Sequence, residues 1–456
     1  MHNLQTTIAA IASPMGRGGV GIIRVSGPNA LPISLKLLPS LQLNSIKSRY
    51  VYFSAVISPK TNSRLDEGCI LYFQAPHSYT GEDVVEFQVH SSPFILQAIL
   101  DCLLFSGAQM ASSGEFTRRA FYNGKLTLSQ AESVIDLIDA SHESAHQVAL
   151  SHLNGRLYKA LMSARETLLS VLEQVEGSID FPDEVDAIDK VTTIQLLEPI
   201  LHTFKTIVSQ KDYGELVKSG VRVVIVGRPN VGKSSLFNAL VGKERSIVTP
   251  IAGTTRDYIE ADVHLNAHLV RFIDTAGVRD SDDTVEHLGI EKIQNLIQDA
   301  HFIFWVLDSS ELFTDEDKKV WEFIKEHNYI FPVFNKSDLV QVLSLPTEYH
   351  VNRAINVSAK DVESISFMKQ NLLEKIQEIL THVDLDLLCN IRQIQCLEAI
   401  IESLERFIKG IESSALEDDI LALDLKTCIL KLGEITGDEL SEEVLDGVFS
   451  RFCVGK

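Results

Sequence analysis

The spacing of apolar residues divides the chain into strand-rich and helix-rich regions. In the first hundred residues, short apolar runs are separated by turn residues, which is typical of strands. Residues 93–105 form a longer apolar segment that predicts a helix packed on the resulting sheet. We therefore predict an amino-terminal α+β domain with strands at residues 7–12, 21–26, 50–57, 68–73 and 83–89.

The apolar period becomes helical after this first domain, from about residue 126. Ser129 and Glu132 have the spacing of a capping box, which predicts the start of a helix. Apolar residues then share one face of that helix at positions 131, 134, 135 and 138.

Two further helices are predicted before the middle of the chain. From Leu157 to Val175 apolar residues recur at intervals of three and four, and Phe181-Pro182 ends that helix. The next helix extends from about Thr192 into the linker that precedes residue 221. We interpret these stripes as helix-packing core rather than as cofactor sites.

Helical periodicity returns at about residue 387 and continues to residue 456. A helix with apolar residues at positions 365, 368, 372, 376 and 379 precedes it. Because helical segments flank the intervening region on both sides, we predict one discontinuous helical domain with another domain inserted into it. The predicted domains cover residues 1–120, 121–217, 218–381 and 382–456, the second and fourth being the two parts of the helical domain.

Residues 227–234 read Gly-Arg-Pro-Asn-Val-Gly-Lys-Ser, which is the spacing of a P-loop. The apolar run 221–226 predicts a buried parallel strand before it, and residues 235–240 predict the start of a helix after it. In that setting backbone N–H groups wrap a polyphosphate, Lys233 reaches the β- and γ-phosphates and the Ser234 hydroxyl binds Mg²⁺. A chance match in a glycine-containing turn is the alternative. The predicted GTP contacts in this loop are Asn230, Val231, Gly232, Lys233, Ser234 and Ser235.

Three later motifs, each at the carboxyl end of a predicted strand, argue against a chance match. Asp274-Thr275-Ala276-Gly277 supplies a carboxylate for a Mg²⁺-bound water and a glycine amide for the γ-phosphate. Asn335-Lys336-Ser337-Asp338 places a carboxylate to accept the N1 and N2 hydrogens of guanine, a donor pair that adenine lacks. Ser358-Ala359-Lys360 backs the base. Ligands bind at this edge of an open α/β sheet, so the predicted nucleotide is GTP.

Composition and charge agree with a multidomain protein and disfavour one class of partner. The 456 residues, 45% apolar and 23% charged, suffice for about three domains. The net charge of −21 argues against nucleic-acid binding by bulk charge. Residues 1–60 nevertheless carry six basic and no acidic residues, whereas residues 381–456 carry sixteen acidic and seven basic residues. Any RNA would need a local basic surface.

The six cysteines show neither a C-x-x-C pair nor a zinc spacing, which favours a reduced cytosol over a disulfide framework. We find no signal peptide, and the apolar windows are too short to span a bilayer. The expected protein is soluble and cytoplasmic, without a membrane partner.

One motif resembles a dinucleotide fingerprint and is interpreted otherwise. Residues 16–21 match G-x-G-x-x-G, but a strand rather than a helix follows, and no acidic residue occurs before position 66. We interpret the segment as a tight strand-to-strand turn.

The expected water-orienting residue is missing from its usual place. In Ras-like enzymes a glutamine beside the glycine of the D-x-x-G motif orients the attacking water, whereas here Val278-Arg279 follows Gly277. The acidic run 280–286 and the loop 249–257 are the local candidates for this role. A solvated switch loop accounts for the same acidic residues, so these residues alone leave the choice open.

The whole chain resembles the MnmE (TrmE) family of bacterial and organellar tRNA modification GTPases. Besides the P-loop, five motifs carry the resemblance: GRGGVGIIRVSG at 16–27, YTGEDVVE at 79–86, GEFTRRAF at 114–121, GTTRD at 253–257 and FCVGK at 452–456. The family ends in F-C-[IV]-G-K, so Val454 lies within the pattern.

The resemblance implies an α+β amino-terminal domain that binds folate and dimerises, a discontinuous helical domain and an inserted Ras-like P-loop G domain. It also implies a function. Together with an FAD-dependent partner protein, as a heterotetramer, the family places an aminomethyl or carboxymethylaminomethyl group at C5 of the wobble uridine (position 34) of tRNA. The reaction uses GTP hydrolysis and a one-carbon unit of 5-formyl- or methylene-tetrahydrofolate.

The resemblance further implies roles for individual residues. Glu286 would position the attacking water. Potassium would be coordinated by Asn230, Thr249, Ile251 and Thr254, and Mg²⁺ by Ser234 and Thr255. The loop contacting GTP would comprise Thr249, Pro250, Ile251, Ala252, Gly253, Thr254 and Thr255. The folate site would comprise Arg24, Glu86, Lys125 and Lys456.

Two other functions remain as alternatives. An RNA-binding ribosome-assembly GTPase shares GRPNVGKS and the GTTRD loop, but such proteins lack GEFTRRAF and the F-C-x-G-K motif. A purely regulatory GTPase switch is the third possibility. Binding of a tetrahydrofolate would distinguish a tRNA modification GTPase from a ribosome-assembly GTPase.

The last residues are predicted to be held in place by an amphipathic helix at 444–452, whose apolar face docks it. The helix would present Cys453 and Lys456 at a defined position. A frayed tail with an incidental thiol is the alternative. A catalytic role for Cys453 stays open, because no histidine neighbours it in sequence to lower its pKa.

Overall fold

The computed structural model describes residues 5–181, 189–242, 259–275, 294–349, 354–381, 383–413, 418–438 and 442–456. The chain divides into two compact units. The first unit comprises Met1–Ile138, Leu150–His202 and Gln395–Lys456, and the second comprises Asp139–Ala149 and Thr203–Ile394. The chain thus leaves the first unit and returns to it, which confirms the predicted insertion of one domain within another.

The strands of the described residues are β1 (Ile8–Ile11), β2 (Gly18–Ser26), β3 (Val51–Ile57), β4 (Arg64–Phe73), β5 (Val84–Ser91), β6 (Gln109–Met110), β7 (Val221–Val226), β8 (Ile259–Leu265), β9 (His268–Asp274), β10 (Phe302–Asp308), β11 (Ile330–Asn335) and β12 (Ile355–Asn356). The helices are α1 (Ala30–Leu35), α2 (Pro93–Phe105), α3 (Glu115–Tyr122), α4 (Leu128–Asp139), α5 (Glu143–Leu153), α6 (Arg156–Asp180), α7 (Lys190–Ser209), α8 (Lys211–Ser219), α9 (Lys233–Val241), α10 (Asp315–Ile324), α11 (Val362–Leu380), α12 (Ile391–Ser413), α13 (Asp418–Thr436) and α14 (Glu442–Phe449).

The first unit contains a six-stranded sheet in the order β3-β4-β5-β2-β1-β6. Neighbouring strands are antiparallel except for β1 and β6, which are parallel. Helices α1 and α2 cover one face, where Val85, Phe87 and Val89 of β5 alternate into the core. On the other face, Phe116 of α3 packs against Ile8 and Ala10 of β1. The predicted strands and the predicted helix at 93–105 are confirmed. Strand β6 was missed because two residues carry no periodic signal.

A strand rather than a helix follows residues 16–17, as predicted, but the turn is shorter than residues 16–21 because residues 18–21 already belong to β2. Gly21 lies in β2 under helix α2. A Cβ atom at Gly21 would lie 2.9 Å from Cδ2 of Leu96, so close packing of the helix on the strand requires glycine there.

The helical part of the first unit is built on α6 and α13, which pack along each other. The predicted stripe of α6 is confirmed: its buried residues are Leu157, Leu161, Ala164, Leu168, Val171, Leu172 and Val175.

Three details of the helical predictions are wrong. The capping box of α4 is formed by Thr127 and Gln130, whose backbone and side-chain groups bond reciprocally at 3.0 and 3.3 Å, rather than by Ser129 and Glu132. The helix begins at Leu128, two residues earlier than a box capped by Ser129 would require, and the Ser129 hydroxyl instead donates to the carbonyl oxygen of Ile435 at 3.2 Å. In addition, residue 138 is exposed, and the helix predicted from 192 is interrupted at residue 210 between α7 and α8.

The second unit contains a six-stranded sheet in the order β12-β11-β10-β7-β9-β8. All neighbouring pairs are parallel except β8 and β9. Helices cover both faces, so that Phe302, Phe304 and Val306 of β10 face one apolar core while the residues between them face the other. This double burial explains why the strands read as continuous apolar runs. The predicted strand at 221–226 is confirmed as β7, and β9, β11 and β12 are the strands predicted to lead into the motifs at 274–277, 335–338 and 358–360.

The chain runs from central β7 to β9 on one side and later to β10 on the other. The carboxyl end of β7 is therefore the switch point of the sheet, where α/β proteins bind ligands. Among the described helices, none is long and apolar enough to cross a bilayer. None of the six cysteines, all of which lie within the described residues, forms a disulfide.

Candidate functional site

The P-loop follows β7, and its last two residues, Lys233 and Ser234, are the first two residues of α9. Gly232 lies immediately before the helix in the left-handed region with φ of +93°, and a Cβ atom there would lie 2.3 Å from Nδ2 of Asn335. A Cβ atom at Gly227 would lie 2.4 Å from the carbonyl oxygen of Val306. The two glycines therefore let the loop lie against β10 and β11, and the loop opens at the positive end of α9.

The two P-loop side chains with predicted chemistry are placed differently. Lys233 is buried, and its ammonium donates to the carbonyl oxygen of Arg228 at 2.9 Å. Ser234 and Ser235 lie exposed in the first turn of α9. The lysine is thus held across the loop, while the serine hydroxyls are accessible to a ligand at the helix start.

Asn335 joins the P-loop to the base-binding loops. Its Nδ2 donates to the carbonyl oxygen of Val231 at 2.8 Å, and its Oδ1 accepts from the backbone N–H of Ala359 at 3.3 Å. The Asn335 side chain is buried, so these bonds set the spacing between phosphate and base regions.

Asp338 lies beside the loop 358–360. Its Oδ1 accepts from the Ser358 hydroxyl at 2.8 Å, and its Oδ2 lies 3.4 Å from the ammonium of Lys360. The hydrogen bond from Ser358 lowers the pKa of Asp338 below its ordinary value, and Lys360 adds to this effect. Ser337 anchors the same turn by donating its N–H to the carbonyl oxygen of Val357 at 3.1 Å. The carboxylate, which is the predicted guanine contact, is therefore charged and fixed beside the loop 358–360.

Lys336 joins the P-loop to β10. Its ammonium donates to the carbonyl oxygen of Asn230 at 3.1 Å and pairs with the carboxylate of Asp308. Burial would raise the pKa of Asp308, but hydrogen bonds from Lys336 and Ser310 outweigh burial, and the pKa is lowered. Sequence analysis missed Asp308, although an apolar run at 302–307 ending in an acidic residue was its signal.

The γ-phosphate side is described only in part. Asp274 is buried at the end of β9, and the Thr275 hydroxyl donates to the carbonyl oxygen of Ile225 in β7 at 2.9 Å. Both lie at the switch point of the sheet. Other predicted residues lie outside the described ones: Thr249, Pro250, Ile251, Ala252, Gly253, Thr254, Thr255, Ala276, Gly277 and Glu286. Of the predicted metal ligands, the structure therefore describes Asn230, which is exposed, and Ser234.

A second constellation lies in the amino-terminal sheet of the first unit. Arg24 of β2 and Glu86 of β5 are cross-strand partners, and Nε of Arg24 donates to Oε1 of Glu86 at 2.9 Å. The guanidinium carbon lies 5.5 Å from the ring centre of Tyr79 and 5.6 Å from that of Phe116. The ion pair is thus bordered by two aromatic rings, with Arg24 one-fifth exposed.

Hydrogen bonds join three of the sequence motifs around this pair. The Tyr79 hydroxyl lies 2.9 Å from Oγ1 of Thr117, and burial raises the pKa of Tyr79. Arg119 donates to the carboxylate of Glu82 at 3.2 Å, and Glu82 also accepts from the Ser26 hydroxyl at 2.7 Å. The segments 16–27, 79–86 and 114–121, far apart in sequence, therefore form one site. Sequence analysis did not assign Tyr79 or Phe116 to it.

Residues 453–456 dock on the same domain. Val454 forms an antiparallel bridge with Ser113, and the N–H of Phe116 donates to the carbonyl oxygen of Lys456 at 3.2 Å. This confirms the prediction that the segment after α14 is held in place. Lys125 donates its ammonium to the carbonyl oxygen of Pro76 at 3.0 Å, in the segment that leads to Tyr79. Phe116 therefore contacts both the backbone of Lys456 and the guanidinium of Arg24, which in turn pairs with Glu86.

Comparisons with known proteins find relatives that match nearly the full length of the chain. The tRNA modification GTPase MnmE of Aquifex aeolicus (strain VF5) is 39% identical over 454 residues, covering 99% of this chain and 100% of the relative. The protein of the same name from Alkaliphilus oremlandii (strain OhILAs) is 39% identical over 468 residues, with the same coverage of both chains. Among solved structures, Era in complex with MgGDPNP and 16S ribosomal RNA nucleotides is 25% identical, covers 40% of this chain and 66% of that chain, and has a TM-score of 0.26.

The inserted sheet, its P-loop and its base-binding loops define a P-loop GTP hydrolase. The family profile described as the MnmE helical domain matches residues 128–453, and the profile described as the GTP-binding protein TrmE N-terminus matches residues 7–125. The chain belongs to the family of tRNA modification GTPase MnmE.

Proposed function

We propose that this protein is a potassium-dependent GTPase that, with an FAD-dependent partner protein, modifies C5 of the wobble uridine (position 34) of tRNA to the aminomethyl or carboxymethylaminomethyl form. The one-carbon unit would come from 5-formyl- or methylene-tetrahydrofolate. One observation carries the proposal: a single chain holds both a guanine nucleotide site at a P-loop and a ring-bordered Arg24–Glu86 site in a TrmE-type domain.

In the proposed hydrolysis, the described residues bind and orient the nucleotide. The P-loop amides and Lys233 would hold the phosphates, Asp338 would accept the N1 and N2 hydrogens of guanine, and Asn335 keeps the two regions at a set spacing. Oxygen ligands suit Mg²⁺, and the exposed Ser234 hydroxyl fits this requirement; Thr255 would be its second protein ligand. Bound Mg²⁺ supplies neutralisation of the phosphate charge.

Potassium would be held by the Asn230 side chain with Thr249, Ile251 and Thr254. Amide and carbonyl oxygens are suitable ligands for this ion, and Asn230 is exposed beside the phosphate-binding turn. A positive charge there stabilises the charge that develops between the β- and γ-phosphates. Glu286 would position the attacking water.

The proposed folate site uses Arg24, Glu86, Lys125 and Lys456. The Glu86 carboxylate can accept from the amino group of a pterin ring, and the rings of Tyr79 and Phe116 offer apolar surfaces beside it. The ammonium groups of Lys125 and Lys456 would complement the glutamate carboxylates of the folate. Bound folate would supply the one-carbon unit.

The proposed assembly is a homodimer that joins the partner in a heterotetramer in the cytoplasm and takes tRNA as its RNA. A ribosome-assembly GTPase is the competing function, and it shares only the G-domain motifs. The match of residues 7–125 to the TrmE N-terminus supports the first function over the second.

The test is complementation of bacterial cells that lack their own wobble-uridine enzyme. Total tRNA is digested and its C5-modified uridines are measured by mass spectrometry. The wild-type chain should restore them, whereas Lys233→Ala and Glu86→Gln should not. Ser235→Ala is not a suitable control because Ser235 is a predicted GTP contact, whereas Arg451→Ala replaces an exposed residue outside both sites and is suitable. Tetrahydrofolate binding without restored modification would contradict the proposal, and absence of both would favour the ribosome-assembly class.

A further inference from the structure

Arg118 of α3 forms ion pairs with α14, the helix that precedes residues 453–456. Its Nη1 donates to Oδ1 of Asp446 and its Nη2 donates to Oε2 of Glu442, both at 2.7 Å. Glu442 and Asp446 are four residues apart on α14 and therefore share one face of that helix. The Arg118 side chain is 8% exposed, whereas its two partners are mostly exposed.

The guanidinium of Arg118 also contacts two aromatic side chains, Tyr122 and Phe449. It lies 5.6 Å from the ring centre of Tyr122 and 5.9 Å from that of Phe449, and its Nε donates to the Tyr122 hydroxyl at 3.3 Å. The planar fork of arginine can bond two carboxylates at once, which an ammonium group does with less directionality.

The backbone at the start of α3 also binds the segment that follows α14. Gly114 donates its N–H to the carbonyl oxygen of Cys453 at 3.5 Å, and Phe116 donates to that of Lys456 at 3.2 Å. Gly114, with φ of +67°, approaches so closely that a Cβ atom would lie 2.7 Å from the carbonyl oxygen of Phe449. The side chain of Arg118 therefore binds α14, and the backbone amides of Gly114 and Phe116 bind residues 453–456.

Apolar packing and the ion pairs contribute differently to this contact. Leu445, Val448 and Phe449 of α14 pack against Leu128 and Ala131 of α4. This apolar contact favours docking of α14 but is non-directional, so it does not fix the position of the helix along its own axis. The paired carboxylates on Arg118 are directional and define both rotation and translation of α14.

We propose that Arg118 is a positioning residue for the folate site: acting through Glu442 and Asp446, it sets the register of α14 and so places residues 453–456 beside Phe116 and Arg24. This inference rests on the proposed function of that site. Arg118 would act without contacting the folate itself.

Amide hydrogen exchange of the full-length protein tests the inference directly. The N–H of Phe116 lies in the first turn of α3, where amides have no acceptor within the helix, so its protection reports the bond to Lys456. Arg118→Ala, and separately the double variant Glu442→Gln with Asp446→Asn, should speed exchange at Phe116 by at least about tenfold. Arg118→Lys should give an intermediate rate, and Arg451→Ala, an exposed arginine of the same segment, should match the wild type.

Binding of 5-formyltetrahydrofolate to the same proteins supplies the second measurement, with nucleotide binding as a check of folding. Affinity should fall in the same order as protection is lost. Because Glu442 and Asp446 are exposed, their neutralisation tests the inference even where Arg118→Ala fails to fold. Unchanged exchange at Phe116 in the double variant would overturn it. A wild-type protein that binds no folate would refute the proposed site, while the exchange rates would still decide whether Arg118 positions residues 453–456.

Discussion

Lys233 donates its ammonium group to the carbonyl oxygen of Arg228, 2.9 Å away on the opposite side of the P-loop. The Arg228 side chain points elsewhere: it pairs with Glu311 and lies 3.3 Å from Oδ1 of the buried Asp317. Burial would lower the pKa of Arg228, but these carboxylates outweigh burial, and the pKa is raised. A guanidinium paired with the carboxylates of Glu311 and Asp317 acts as an anchor of the loop rather than as a phosphate ligand.

Arg228→Ala should therefore weaken GTP and GDP binding equally, by about tenfold or roughly 1.4 kcal/mol, because the loop must then be ordered by the nucleotide. The kcat should stay close to that of the wild type, since the anchor acts alike on ground and transition states. Arg228→Lys should recover part of the affinity. Titration with fluorescent GDP and GTP measures these constants. A fall in kcat at unchanged affinity would assign Arg228 to the chemistry instead.

Asp338→Asn should change base selectivity. Its carboxylate would accept from two N–H groups of guanine, and an amide replaces one acceptor by a donor. GTP affinity should fall by at least about a hundredfold, because hydrogen bonds to charged groups are the stronger class. Xanthosine triphosphate, which carries an oxygen in place of the N2 amino group, should gain affinity. Competition binding with both nucleotides checks this. Ser358→Ala, which removes only the 2.8 Å bond to Asp338, should cost much less. Equal losses for both nucleotides would indicate a collapsed pocket.

GTP hydrolysis should be faster in potassium than in sodium chloride at equal ionic strength. The ion proposed at Asn230 and the loop 249–254 would place positive charge where an arginine finger acts in other GTPases, and sodium is too small for the same set of oxygens. The G domains should pair under the same conditions, because the loop must be ordered to complete the site. Steady-state phosphate release and sedimentation in the two salts measure the two effects. Identical rates in both salts would remove potassium from the mechanism.

His301 should make the stability of the inserted unit depend on pH. Burial and the nearby Arg222 lower the pKa of His301 from 6.5 to about 4, and its Nδ1 accepts from the N–H of Arg222 at 2.9 Å. Between these values the unfolded chain binds more protons than the folded one. Stability should therefore decrease as pH falls from 6.5 toward 4, by at most roughly 3 kcal/mol from this group. Urea denaturation of wild type and His301→Gln at several pH values isolates the effect as a difference. A difference that does not vary with pH would show that His301 does not titrate in this way.

The parts of the fold that were predictable are those encoded within about twenty consecutive residues. The β7, P-loop and α9 sequence is one such unit, as is the stripe of α6. The partners that hold those units are distant: Glu311 lies 83 residues from Arg228, and Asp446 lies 328 residues from Arg118. Periodicity contains no information about such pairs. A capping box shifted by two residues, Thr127 with Gln130, shows that even local spacing is ambiguous where two polar pairs share the same interval.

Deletion of residues 453–456 separates the two proposed activities. The segment is held by the Ser113–Val454 bridge and by the bond from Phe116 to Lys456, and a Cβ atom at Gly455 would lie 2.2 Å from the carbonyl oxygen of Ile11. This close fit shows that the segment is part of the first unit. The second unit has its own apolar core, built on β7, β9, β10 and β11. Folate affinity and wobble-uridine modification should therefore fall together, whereas basal GTP hydrolysis should persist.

The three quantities must be measured on the same preparation: folate binding by calorimetry, phosphate release with GTP, and modified uridine in tRNA incubated with the partner protein. Cys453→Ser is the matched variant, because it keeps the backbone bonds of the segment and removes only the exposed thiol. If Cys453→Ser retains folate affinity but loses modification, the thiol takes part in the reaction. If both functions persist, Lys456 and the backbone account for the effect of the deletion. Intact modification in the deletion variant would show that residues 453–456 serve only to cover the amino-terminal sheet.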